Sequence, residues 1–157
     1  MNKFVKLIVS VGICLFAGGI GTIFTVSAIS AWYAALVKPS FSPPNYLFAP
    51  VWTILYILMG ISLYLVWKKG VKTKKSREAV YTFCVQLFLN AVWTPVFFGY
   101  KNIFLALIII ILMLFFIIKT ITLFAKIDKN AAYLLYPYAV WVSFATILNF
   151  SVWILNR

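Results

Sequence analysis

Gln86, Asn90 and Thr94 recur at four-residue intervals in an otherwise apolar stretch. On a helix that spacing places all three on one face. Trp52, Tyr56, Gly60 and Tyr64 repeat the pattern in an earlier stretch, and Trp141, Ala145 and Asn149 repeat it in a later one. Polar side chains at membrane depth are expensive against lipid, so these faces point inward. Rings offer stacking area and amides offer a few directional hydrogen bonds, which suits a large, flat, mostly apolar ligand. The same residues also serve if the amides only tie helices together and the rings only fill space. Both readings stand at this level.

Other chemistry is excluded by what is missing. The chain has no histidine, which removes imidazole acid–base catalysis and His ligation of haem or zinc. Its only carboxylates, Glu78 and Asp128, fall between apolar runs. Paired-carboxylate catalysis and a membrane-buried acidic relay are therefore disfavoured. Cys14 and Cys84 lie in different apolar runs without zinc-site spacing, and both read as buried apolar thiols.

The elements that must carry these faces are five apolar runs, at 4–30, 47–67, 79–100, 103–124 and 131–155. Each approaches or exceeds the ~20 residues of a spanning helix. In lipid the backbone must satisfy its own hydrogen bonds, so each run is predicted to be helical. Apolar residues make up 65% of the chain and charged residues 10%, too few for a domain in water. The expected fold is an all-α membrane protein, a five-transmembrane-helix bundle forming one domain over 1–157. The first run has a basic start, with small residues at Ser27–Ala31, but it is longer than a signal-peptide core and is expected to be retained. The fourth run has no polar side chain between Ile103 and Ile118, and reads as lipid-facing scaffold. Pro95 and Pro137 are predicted to kink the third and fifth spans. Ala17, Gly21 and Thr25 give the first span a small-residue face for close packing within the bundle.

The net charge of +12 reflects 14 basic and 2 acidic residues set between apolar runs, which signals topology and membrane lipid contact, with no nucleic acid partner. With five spans, eleven basic residues fall on one side and three (Lys38, Lys101 and Arg157) on the other. The positive-inside rule then puts the N-terminus inside and the C-terminus outside, in a bacterial cell membrane. The segment Trp32–Asn45, between the first two spans, contains Pro39, Pro43 and Pro44 among aromatic residues. Proline stiffens it, and it reads either as a lid over the bundle or as an interfacial aromatic belt.

These same stretches resemble the tryptophan-rich sensory protein / translocator protein (TspO/MBR) family along nearly the whole chain. The matching residues are Trp32-Tyr33, Leu36, Lys38-Pro39 and Pro43-Pro44, then Ala49-Pro50-Val51-Trp52, Leu55-Tyr56 and Tyr64-Leu65-Val66-Trp67-Lys68. They continue through Leu89-Asn90, Trp93, Pro95-Val96-Phe97-Phe98-Gly99 and Leu134-Leu135-Tyr136-Pro137-Tyr138, to Trp141, Phe144-Ala145-Thr146, Leu148-Asn149 and Val152-Trp153. The resemblance implies a five-helix bundle, often dimeric as a homodimer, with a pocket beneath the first loop. It implies binding of porphyrins such as protoporphyrin IX, and of synthetic isoquinoline or benzodiazepine-type ligands. Carried over position by position, the ligand-binding set is Tyr33, Pro43, Trp52, Tyr56, Asn90, Trp141, Phe144 and Ala145. Trp52 and Trp141 match the tryptophan pair associated with porphyrin breakdown and are the candidate catalytic residues. No cofactor and no metal is required, the porphyrin being ligand or substrate. Animal members carry a sterol-recognition pattern near the C-terminus that needs a tyrosine; Leu148–Arg157 has none.

The expected function is porphyrin binding in tetrapyrrole sensing or light-dependent porphyrin degradation. A transporter of tetrapyrroles or other apolar molecules, and a regulatory partner protein with an incidental pocket, are the alternatives. Whether porphyrin is consumed is left open by the sequence.

Overall fold

A computed structural model describes all residues, Met1–Arg157. The chain folds into helices alone: α1 (Lys3–Ala28), α2 (Phe48–Lys68), α3 (Lys74–Thr94), α4 (Ile103–Ala125), α5 (Lys129–Leu134) and α6 (Tyr136–Leu155). Wide π-helical turns extend α1 over Ile29–Tyr33 and α3 over Pro95–Gly99. The result is five helical spans long and apolar enough to cross a membrane, at Lys3–Tyr33, Asn45–Lys68, Lys74–Gly99, Ile103–Ala125 and Lys129–Leu155.

Local chemistry fixes where the helices start and stop. Asn2, Thr73, Asn102 and Asp128 each turn a side-chain oxygen onto a first-turn N–H, at Phe4, Ser76, Leu105 and Asn130 respectively. These caps satisfy donors that a helix start leaves without partners. The third span begins at Lys74, before its apolar run at residue 79, because Thr73 caps the helix within the basic segment. Gly70 ends α2 with φ +97, a conformation that favours glycine.

The two prolines act differently from simple kinks. Pro95 has no N–H to return to the preceding turn, and the backbone widens instead. Tyr100 N–H then donates five residues back to the Pro95 carbonyl at 2.9 Å. Pro137 sits in the first turn of α6, just after the break that separates α5 from α6. The fifth span is therefore interrupted at Leu135, two residues before the proline.

Around the bundle, span 1 touches spans 2 and 3, span 3 touches span 4, span 4 touches the fifth, and α5 closes the ring against α2. At the end bearing the basic loops the packing is close. A Cβ on Gly60 would collide with the Val11 backbone, so only glycine lets α1 and α2 meet there. Phe83 and Phe124 stack at 5.7 Å between ring centres, and Ser62 Oγ donates to the Ala131 carbonyl at 2.7 Å. Lys69 Nζ lies 3.0 Å from Asp128 Oδ2 and donates to the Ile127 carbonyl.

The expectation for α4 needs correction. Its outer face is apolar and exposed, but Ala106, Leu107, Ile110, Met113, Ile117 and Phe124 are buried against its neighbours. An all-apolar sequence has no polar stripe to reveal which side packs. Cys84 also differs from expectation: Cys14 is buried, whereas Cys84 is on the outer surface.

Candidate ligand-binding site

Toward the other end of the bundle the helices part. Between them lies a cavity of about 460 Å³, within the range of small-molecule sites. It receives side chains from span 1, the first half of span 2, the second half of α3, the middle of α4 and most of α6.

Six of the eight expected ligand-binding residues line it: Tyr33, Trp52, Tyr56, Asn90, Trp141 and Ala145. Pro43 and Phe144 are not in its wall. Phe144 sits beside it, with its ring 5.7 Å from Trp141 and 6.2 Å from Phe41 of the first loop. Pro43 belongs to the loop itself, where proline sets the path of the chain.

A hydrogen-bonded layer floors the cavity. Tyr56 O–H donates to Asn90 Oδ1 at 2.6 Å, Asn90 Nδ2 donates to Tyr138 Oη at 2.7 Å, and Tyr138 O–H donates to Gln86 Oε1 at 2.8 Å. The i, i+4 pair Gln86 and Asn90 is thus structural glue across α2, α3 and α6, as well as, at Asn90, cavity wall. Tyr138 is fully buried, and Met59 and Phe83 close the core beyond it. Higher in the wall, Trp93 Nε1 donates to Asn149 Oδ1 at 3.1 Å, and Asn149 Nδ2 donates to the Ile103 carbonyl.

These bonds leave little for a ligand to compete with. Thr22, Thr25 and Thr53 donate to carbonyls one turn back on their own helices. Trp141 Nε1 is the exception: it is buried and has no hydrogen-bond partner. The nitrogen is covered by its neighbours and does not open onto the cavity, so what Trp141 presents there is its ring. Trp52 stacks on Tyr56 at 5.6 Å, and Phe48 meets Trp141 edge-on at 6.1 Å, so the two candidate catalytic indoles are held by rings. No charged side chain lines the cavity.

The cavity also opens sideways. Gly19, Thr22 and Val26 of α1 line it, as do Ala49 and Thr53 of α2, and all five are exposed on the outside of the bundle. The gap between the two helices therefore faces the surroundings of the spans rather than the loops. At the top, the first loop is tied to the C-terminal end of α6. Val37 N–H donates to Asn156 Oδ1 at 2.9 Å, and Asn156 Nδ2 donates back to the Val37 carbonyl at 2.8 Å.

Several lining residues were not singled out from the sequence: Gly18, Phe48, Ile110, Met113 and Leu148. An apolar residue in an apolar run carries no local mark of facing a cavity. Gly21 and Thr25 were read as packing residues and do both, Gly21 lying against Thr94 while lining the cavity.

A family model described as TspO/MBR family matches residues 10–154. The chain is 44% identical over 157 residues to the tryptophan-rich protein TspO of Chlorobaculum tepidum, covering 99% of each. It is 42% identical over 123 residues to the translocator protein of Homo sapiens, covering 78% of this chain and 73% of that one. It is 38% identical over 125 residues to the tryptophan-rich sensory protein of Cereibacter sphaeroides, covering 80% and 77%.

Proposed function

From the premise that this chain belongs to the TspO/MBR family and is a multi-pass integral membrane protein, we propose that it binds porphyrins of the protoporphyrin IX class. On this reading it acts in tetrapyrrole sensing or in light-dependent porphyrin degradation. The observation that supports this most is the uncharged cavity walled by the rings of Trp52, Tyr56 and Trp141. A flat aromatic ring matches such a wall by stacking, and its polar atoms find few sites there. Synthetic isoquinoline or benzodiazepine-type ligands share the same flat apolar chemistry.

Binding fits the cavity better than passage through the bundle. The Tyr56–Asn90–Tyr138–Gln86 layer and the packed core beyond it close the cavity toward the basic end. No carboxylate lines it to couple movement to protons. We also retain the orientation with the N-terminus inside and the C-terminus outside a bacterial cell membrane, from eleven basic residues against three. A reporter fused after Arg157 that is active in the cytoplasm would refute it.

If porphyrin is consumed, its own excited state supplies the reactivity, as when a cofactor carries the chemistry. It passes excitation to oxygen or takes an electron from an adjacent indole, and Trp52 and Trp141 are the indoles at hand. The test is titration of the purified protein with protoporphyrin IX in darkness and under light, following absorbance and product mass. Trp52→Phe and Trp141→Phe are expected to keep most of the binding, since a phenyl ring still stacks, and to lose the light-dependent consumption. Consumption at the parent rate in both variants refutes the redox role. Loss no faster than free porphyrin in detergent leaves binding or sensing as the function.

A further inference from the structure

A porphyrin of the protoporphyrin class carries two carboxylates, and the cavity has no charged residue to meet them. A carboxylate cannot be buried among apolar walls without a partner charge. The acid groups must therefore stay at an edge of the cavity while the ring fills it, and the edge nearest the loops must supply a cation.

Only three basic residues belong to this end of the bundle: Lys38, Lys101 and Arg157. Arg157 lies over the ring of Trp153, at 5.8 Å from its centre. Lys101 is exposed in the turn between the third and fourth spans. Lys38 differs from both. Its side chain folds back from the first loop, and Nζ donates to the Tyr33 carbonyl at 2.8 Å and the Leu36 carbonyl at 3.2 Å. The ammonium stands 4.7 Å from the centre of the Tyr33 ring, and Tyr33 lines the cavity. It has no acidic partner, since the one ion pair in the protein joins Lys69 to Asp128 at the opposite end. Lys38 is thus a half-buried, fixed cation without a counter-ion, one residue away from the cavity wall. Two carbonyls occupy two of its three N–H groups and leave one for another acceptor.

We propose that Lys38 is the specificity residue for the acid group of the ligand, resting on the porphyrin reading above. It holds a carboxylate at the loop end of the cavity and so orients the ring with its acid edge toward the first loop and its apolar edge toward the Tyr56–Asn90 floor. The cavity then prefers a flat ring bearing a carboxylate over the same ring fully esterified.

The full-length protein in detergent, titrated in the dark with protoporphyrin IX and with its dimethyl ester by quenching of tryptophan fluorescence, separates the possibilities. Lys38→Met is expected to weaken the diacid about tenfold, as for a lost charge-assisted hydrogen bond, and to leave the ester within about twofold. Lys38→Arg should keep most of the preference for the diacid. Equal weakening of both ligands by Lys38→Met would make Lys38 a prop of the loop and overturn the proposal. No change for either ligand would overturn it as well, while leaving porphyrin binding intact. If the parent binds neither ligand, the porphyrin reading fails and this one falls with it.

Discussion

At the basic end, α1 reaches α2 through Gly60, Phe83 and Phe124 stack nearly parallel, and Ser62 bonds directly to the backbone of α5. At the other end the same helices are held apart by Trp52, Trp93 and Trp141, whose rings lean on Tyr56, Phe97, Phe48 and Phe144. Small residues bring backbones together, and bulky rings set between helices keep them apart. The dividing layer is the Tyr56–Asn90–Tyr138–Gln86 network, which belongs to both. A single chain thus combines a dense half that sustains the fold with a hollow half that can accept a ligand, and substitutions in the two should act on different observables.

The largest effect is expected from Gly60→Leu. The added side chain would meet the Val11 backbone, which cannot move aside as a flexible side chain can. Overpacking of this kind costs about 3 kcal/mol, enough to lower the apparent Tm in detergent strongly or to prevent recovery of folded protein. Gly12→Leu on α1 is the matched control, because nothing lies within 4 Å of a Cβ there. An equal loss in both variants would show that the contact with Val11 is not what matters.

In the hollow half, Ala145→Phe should leave Tm nearly unchanged and weaken porphyrin binding tenfold or more, an estimate of at least about 1.4 kcal/mol. Ala145 lines the cavity one helical turn from Trp141, so a phenyl ring there occupies ligand space beside the indole. A folded variant with parental affinity would remove this wall from the site.

The smallest effect is expected at the rim of the dense half. Asp128 is held below its ordinary pKa of 3.8. Burial opposes its charge, but the hydrogen bond and charge of Lys69 and two backbone N–H groups outweigh that. A lowered folded pKa means that the unfolded chain takes up protons first as pH falls. The stabilisation is therefore complete above the ordinary carboxylate value and is lost on acidification through the folded one. Lys69 is 47% exposed, so Asp128→Asn should cost only about 0.5 kcal/mol near neutrality. Apparent Tm of parent and variant should draw together as pH falls below 3.8 and converge once it is under the lower folded value. A difference that persists there would point to the helix cap, not the ion pair.

The spans were legible because lipid imposes helices on long apolar runs and because basic residues bracket them. Asn90, Trp52 and Trp141 stood out for the same physical reason: polar or ring-bearing residues at helical spacing in an apolar background must face inward. What escaped was whatever lacks contrast. Ile110 and Met113 of α4 line the cavity from within an unbroken apolar run, and Gly18 and Leu148 carry no mark that separates wall from packing. Gln86 and Asn90 shared one signal but have different surroundings, since only Asn90 reaches the cavity. Partition within a polar face depends on which neighbouring helix is opposite, and that is a tertiary fact.

The two wide turns at Ile29–Tyr33 and Pro95–Gly99 have a consequence for chain length. A π turn accommodates one residue more than an α turn, and each residue of an α-helix advances the chain by about 100° and 1.5 Å. Removing Ser30 should let the first span continue as plain α-helix. Its length and the direction of Tyr33 relative to Gly21 and Thr25 would barely change, because a π turn holding one residue more sweeps about the same angle as the α turn that replaces it. Deletion of Ser30 is therefore predicted to leave membrane insertion and porphyrin binding near those of the parent, whereas insertion of an alanine after Ser30, which the already widened turn cannot absorb, should rotate Tyr33 by about 100° and abolish binding. Loss of binding in both the deletion and the insertion would mean that the wide turn itself, not the direction of Tyr33, is what the site requires. In the hollow half, then, each wide turn stores one residue that the span can lose, but not gain, without redirecting the side chains beyond it.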